Sequence, residues 1–127
     1  MQFHLEKNKT TSTPYIFADE VKGYMKLEGR CFPESVSLFF RDISVWLESH
    51  LASDFKLFTF DCVIEYFNSS TAKWLFNLLT LMDRRASEGK KIVVNWITVE
   101  GNGMMIECGE DFQEEMKSLE FNLFVRK

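Results

Sequence analysis

The sequence predicts a single α/β domain, with a mixed sheet and three helices in the order ββαβαβαβ. Three observations carry this. Apolar residues recur at three- and four-residue spacing in three separate segments, as amphipathic helices require. Between those segments lie β-branched and aromatic stretches of strand length, above all 55–67 and 91–99. The chain has 127 residues, enough for one core that buries roughly two-thirds of the unfolded surface.

The elements follow in order. Residues 1–13 are polar, with Lys7, Lys9 and a Thr-Ser-rich run ahead of Pro14. They read as a flexible arm with a little extended structure around Phe3 and Leu5, and the domain proper reads as 14–127. Tyr15 to Ala18 and the alternating stretch Tyr24 to Glu28 read as two strands joined by a turn near Val21-Gly23. Gly29 to Phe32 reads as a loop. Pro33 and Glu34 suit a first helical turn. Val36, Phe39, Phe40, Ile43, Trp46, Leu47 and Leu51 then mark one amphipathic helix of about five turns.

Phe55 to Phe67 contains neither Gly nor Pro, as a central strand should. Phe58, Phe60, Cys62, Ile64 and Tyr66 are expected on one face. Leu57, Thr59, Asp61, Val63 and Glu65 are expected on the other. Asn68-Ser69-Ser70-Thr71 leads into a helix marked by Trp74, Leu75, Leu78, Leu79 and Met82, with Gly89 as the residue that stops it. Lys91 to Val99 is a second long strand, broken by Gly101-Asn102-Gly103. Met105, Cys108, Phe112, Met116 and Leu119 define the third helix, which Gly109 weakens by about 1 kcal/mol. Phe121 to Val125 is the last strand. The later strands are expected to be parallel, joined by right-handed crossovers.

Composition narrows the function. Hydrophobic residues are 46% and aromatics 15%, with 13 phenylalanines, which argues for a packed aromatic core built on Phe39, Phe40, Trp46, Phe58, Phe60 and Trp74. The formal charge is -4, and no basic face accompanies it, which argues against nucleic acid as a partner. Cys31, Cys62 and Cys108 are odd in number and widely spaced, so neither a disulfide framework nor a zinc ribbon is indicated. Cys62 and Cys108 read as small buried hydrophobes. No apolar run is long enough to span a membrane, and a cytoplasmic location is expected.

Catalytic chemistry is poorly supplied. His4 and His50 are the only histidines. Neither has partners at metal-ligand spacing, and His50 at a helix end suits the helix dipole. No nucleophile–base pair, phosphate loop or dinucleotide fingerprint is present. Glu110, Glu114 and Glu115 read as a solvated helix face. No cofactor and no metal are expected.

The segment Tyr66 to Lys73 is the informative one. Asn68, Ser69 and Ser70 are all good N-cap residues, so the segment serves as a helix start whatever else it does. A hydroxyl there also sits where backbone N–H groups and the helix dipole favour negative charge. Lys73 lies four residues beyond Ser69 and could pair with a phosphate or a partner, or stay solvated.

These residues resemble a known family. Ser12-Thr13-Pro14-Tyr15-Ile16 is similar to the STPxI opening of SiaC-type regulatory phosphoproteins. Gly23 to Glu34, with its Gly-Arg-Cys-Phe-Pro-Glu, resembles their GxSYPEN-like lead-in to the first helix. Tyr66-Phe67-Asn68-Ser69-Ser70-Thr71 resembles their YLNTSS-like segment. The resemblance covers roughly residues 12–126 and implies a fold akin to STAS, the anti-sigma factor antagonist domain. It implies a phosphoacceptor directly after the Asn, a threonine in most of the family and Ser69 in this chain, with Ser70 and Thr71 as neighbouring candidates. It also implies a non-enzymatic switch whose partner-binding residues include Asn68, Ser69, Ser70 and Lys73. The implied partners are a GHKL-type kinase, a PP2C-type phosphatase and a diguanylate cyclase activated by the unphosphorylated form, in cyclic-di-GMP and biofilm control. The alternatives are a small-molecule-binding STAS-like module, expected to show an apolar pocket beside Asn68, and a small hydrolase.

Overall fold

Six strands lie side by side in chain order, β1 (His4–Lys7), β2 (Tyr15–Asp19), β3 (Tyr24–Cys31), β4 (Phe58–Phe67), β5 (Ile92–Val99) and β6 (Glu120–Arg126). This is seen in a computed structural model that describes residues 2–127. The first three strands pair antiparallel and the last four pair parallel. Four helices connect the parallel strands: α1 (Val36–Phe39), α2 (Arg41–Ala52), α3 (Ser69–Ser87) and α4 (Gly103–Glu115).

Every parallel step moves to the next position in the same direction. Right-handed crossovers of that kind put all the helices on one face of the sheet. The burial pattern follows from this. Ile16, Met25, Leu27, Phe60, Cys62, Val94 and Trp96 lie under the helices and are almost fully buried. Their alternating neighbours Phe17, Lys26, Asp61, Val63, Asn95 and Ile97 stay partly exposed on the open face. A polar chain stabilises that open face across four strands. Tyr24 Oη donates to Asp61 Oδ2 at 2.6 Å, Asn95 Nδ2 to Asp61 Oδ1 at 2.8 Å, and Asn122 Nδ2 to Asn95 Oδ1 at 3.0 Å. Burial and the adjoining Asp61 carboxylate push the Tyr24 phenol well above its usual range.

The aromatic core is where the composition placed it. Phe40, Trp46, Phe58 and Phe60 are buried, and Phe39 and Trp74 pack against them half-buried. Trp74 stacks on Phe40 with centroids 3.8 Å apart.

Two elements are shorter than expected, β4 starting at Phe58 rather than Phe55 and α4 stopping at Glu115, short of Met116 and Leu119, and four further details differ from the sequence expectation. Residues within the expected 1–13 arm form a sixth strand, so the order begins βββ. Phe3 supplies the reason, stacking on Trp46 at 4.8 Å, while the Phe3 carbonyl accepts from Glu20 N–H at 3.0 Å. A four-residue edge strand is too short to announce itself by periodicity, yet these contacts hold it. The first helix is broken at Phe40, whose backbone (φ -98°, ψ 12°) ends α1 and starts α2, so there are four helices. Phe39 and Phe40 are adjacent, and the break lets Phe40 turn under Trp74 while Phe39 meets it edge-on. Gly29 to Cys31 continues β3 rather than looping.

The fourth difference is a bulge. Gly29 pairs with Ile64 but Arg30 pairs with Tyr66, so Glu65 is an extra residue on β4. One extra residue swaps faces beyond it. Tyr66 therefore leaves the expected core face, and Phe67 turns inward instead.

The cysteines and His50 are apolar packing. Cys62 is buried, and burial pushes its thiol far up. Burial pushes the Cys108 thiol, half-buried on α4, up to about 11. His50 does end α2, in its last turn, and its ring is packed among aromatic side chains. It stacks between Trp46 (5.1 Å) and Phe55 (5.2 Å), and burial lowers its pKa, with Glu20 opposing.

Candidate functional site

The carboxyl end of β4 runs into α3 through one residue. Asn68 is the N-cap: its backbone is extended, its Oδ1 accepts from Thr71 N–H at 2.9 Å, and its carbonyl accepts from Ala72 N–H at 3.0 Å. Asn68 N–H in turn donates to the Cys31 carbonyl at 3.4 Å, which ties the junction to the end of β3. The first N–H groups of a helix have no intrahelical acceptor, so those of Ser69 and Ser70 point out of the helix end.

The three hydroxyls of this turn are not equivalent. Ser69 and Ser70 are exposed. Thr71 is fully buried, its Oγ1 3.6 Å from Cys31 Sγ. Burial pushes the Cys31 thiol up to about 11, with the Thr71 hydrogen bond opposing. Lys73 is exposed one turn on, on the solvent side of α3. The structure therefore brings Asn68, Ser69, Ser70 and Lys73 to one surface and takes Thr71 out of it.

Arg30, Phe32 and Leu38, which spacing arguments passed over, lie near this junction together with Tyr66. The Arg30 guanidinium lies over Phe32 (5.5 Å) and Tyr66 (5.2 Å), and the two rings meet edge-on at 5.8 Å. The bulge at Glu65 makes the cluster by turning Tyr66 outward. On the other side α1 packs against α3 and leaves Leu38 68% exposed. A guanidinium packed against two rings is the kind of side-chain cluster enriched at binding hot spots, where Arg and aromatic residues predominate. A chain read one residue at a time gives no sign of the cluster. The alternation of β4 would even place Tyr66 on the wrong face.

The neighbouring junction is built alike. Asn102 caps α4, accepting from Met105 N–H at 3.3 Å, and its Nδ2 donates to the Glu65 carbonyl at 2.9 Å. The pairing of β4 with β5 stops at Cys62 and Trp96, so this side-chain bond bridges the strands where the ladder has ended. A cleft of about 180 Å³ remains there, lined in part by Val63, Ile97 and Thr98. A larger open concavity of about 720 Å³ lies at the opposite end of the strands, beside Lys22, His50 and Lys56. Neither is lined by Asn68 or Ser69. Among the described residues, no helix is long and apolar enough to cross a membrane.

Comparison with known proteins matches this architecture over nearly the whole chain. SiaC from Pseudomonas aeruginosa in its apo form superimposes with a TM-score of 0.84 at 24% identity, covering 98% of this chain and 99% of that one. The structure described as the diguanylate cyclase SiaD in complex with its activator SiaC, also from Pseudomonas aeruginosa, matches with a TM-score of 0.85 at 25% identity, covering 96% and 98%. An uncharacterized protein of Pseudomonas aeruginosa strain UCBPP-PA14 is 27% identical over 106 residues, 84% of each chain. The sequence profile of the SiaC family of regulatory phosphoproteins matches residues 7–126. With its fold and a profile match of that length, the chain belongs to the SiaC family of regulatory phosphoproteins.

Proposed function

We propose that this protein is a non-enzymatic switch in the cytoplasm whose docking surface is the β4–α3 junction, and that phosphorylation of Ser69 turns it off. The observation that carries the reading is the exposed pair Ser69 and Ser70 at the N-terminus of α3, which follows Tyr66 of the Arg30–Phe32–Tyr66 cluster by three residues. The membership in a family of regulatory phosphoproteins supports it. The similarity to an activator crystallised with a diguanylate cyclase suggests an enzyme of that class as target.

The physics is local. A phosphate on Ser69 adds about -1.5 to -2 charge. The free protein tolerates it, because helix N–H groups and the dipole face it. A docked partner would have to desolvate that dianion, which costs far more than it does for a neutral hydroxyl. Unmodified protein therefore binds and modified protein does not, with no refolding of the domain. A GHKL-type kinase adds the phosphate and a PP2C-type phosphatase removes it. Ser70 is the second candidate acceptor. Thr71 is a poor one, since its hydroxyl is reached only if the first turn of α3 opens.

The experiment is a binding titration against the diguanylate cyclase target, using Ser69→Ala and Ser69→Asp. Ser69→Ala should bind like the unmodified protein, and Ser69→Asp should bind about tenfold weaker or worse, roughly 1.4 kcal/mol. Equal affinities would sink the mechanism.

A further inference from the structure

The sheet has two free edges, and they are built differently. β1 is four residues long and carries His4, Glu6 and Lys7. Short, charged strands blunt an edge against pairing. β6 is seven residues long, contains no proline, and leaves Phe124 and Val125 exposed at 49% and 46%. Two hydrogen bonds show which way its backbone faces. The Arg126 carbonyl accepts from Glu100 N–H at 2.6 Å, so Arg126 turns toward β5. The Phe121 carbonyl accepts from the Gln113 side chain at 2.9 Å on the other side. Successive residues of a strand alternate sides, so Phe121, Leu123 and Val125 present their N–H and C=O groups to the free edge.

That edge is complementary to itself. A second β6 laid antiparallel about a two-fold axis at Leu123 puts Leu123 opposite Leu123 and Phe121 opposite Val125. The outward backbone groups then meet in hydrogen-bonded pairs. On the open face the same register sets Glu120 opposite Arg126, twice by symmetry. Moving the axis to Phe121 sets Glu120 opposite Asn122, and moving it to Val125 sets Arg126 opposite Phe124. Only the Leu123 axis pairs opposite charges. We infer that β6 is a self-association edge, at which two copies of this chain join antiparallel about Leu123 into one continuous sheet.

The association is weak and reversible. The contact is essentially one strand on each side, well below the area of stable interfaces. The Phe121 carbonyl must exchange Gln113 for the second copy. The two α4 helices come to the same side of the joined sheet, each carrying Glu107, Glu110, Asp111, Glu114 and Glu115, and their repulsion opposes the pairing.

Sedimentation over a dilution series reaching about 1 mM, the range of weak affinities, should show the mass rising from the 15.0 kDa monomer toward twice that value. Glu120→Arg should restore the monomer at the high concentration. The swapped pair Glu120→Arg/Arg126→Glu should recover the dimer. Leu123→Cys in a Cys108→Ser background should crosslink on oxidation, because a hydrogen-bonded antiparallel pair holds its Cα atoms about 5.5 Å apart, within disulfide reach. Phe124→Cys, opposite Asn122 of the second copy, should not. A monomer at the high concentration with no crosslink through position 123 overturns the inference. So does a dimer indifferent to the charge swap that crosslinks through position 124. A monomer whose β6 edge instead takes up an extended lysine–valine decapeptide would give the edge to another partner, and overturns it as well.

Discussion

Replacing Gly109 by alanine gives opposite signs depending on whether the helix or its packing decides. In a solvent-exposed helix interior, Gly→Ala is favourable by about 1 kcal/mol. Here a Cβ on Gly109 would lie 2.5 Å from Trp96 Cδ1, 2.7 Å from Trp96 Nε1 and 3.0 Å from Leu123 Cδ1. Real Cβ atoms do not approach that closely, and Trp96 is 1% exposed with no room to retreat. Overpacking of this kind costs about 1–3 kcal/mol. Trp96 Nε1 also donates to the Met105 carbonyl at 2.9 Å. Displacing the ring strains that bond, for about another 1 kcal/mol. Set against the propensity gain, Gly109→Ala should destabilise by about 1–3 kcal/mol. Urea unfolding followed by circular dichroism should show the midpoint falling by roughly 1 M, with an altered Trp fluorescence in the folded baseline. A midpoint that rises would refute the packing argument and return the glycine to a mere weak point in α4.

Other perturbations follow from the same geometry. Asn68→Ala removes the α3 cap and should cost about 1 kcal/mol in chemical denaturation, whereas Asn68→Asp should keep most of it. Burial, with Glu20 opposing, lowers the folded pKa of His50. Its contribution is complete above the unfolded value and is lost as pH falls through the folded one, so melting temperature should decline below about pH 6.5. In His50→Phe that part of the decline should vanish. Burial works to raise the Asp83 carboxyl, but N–H donors from Leu119, Ser118 and Lys117, at 3.0, 2.8 and 3.3 Å, outweigh it and hold the group below its usual range. The stability it contributes is present at neutral pH and lost as pH falls through the carboxylate range. Asp83→Ala should lower neutral-pH stability by about 1–2 kcal/mol and loosen the α4–β6 connection, read by hydrogen exchange at residues 117–119.

The sequence revealed most where one physical signal dominated. The long strand ending at Phe67, the capped helix start within Asn68 to Ser70, the stop at Gly89 and the parallel α/β alternation each rest on local chemistry, and the folded chain keeps them, choosing Asn68 as the cap. What it hid depended on contacts between distant residues. β1 exists because Phe3 meets Trp46, forty-three positions along the chain. The break at Phe40 reflects Trp74. The face change at Tyr66 comes from one extra residue in a ladder whose other rail is β3, and no periodicity within β4 records its partner's register. The candidate site was legible as a motif, from Asn68 to Lys73. Its neighbours Arg30, Phe32 and Leu38 come from elements brought together only by folding. Gly109 shows the same divide: in sequence it is a poor helix residue, and in the fold it is the space that Trp96 occupies.

The claim on which the functional account stands is that the hydroxyl directly after Asn68 is the one modified. The most direct measurement is phosphopeptide mapping of this protein after incubation with ATP and a kinase of the proposed GHKL type, or after isolation from its own cells, with site assignment across Ser69, Ser70 and Thr71. The account predicts a single phosphate on Ser69, absent from Ser69→Ala and removed by the phosphatase. Phosphate confined to the buried Thr71, or to a residue away from the β4–α3 junction, would contradict it.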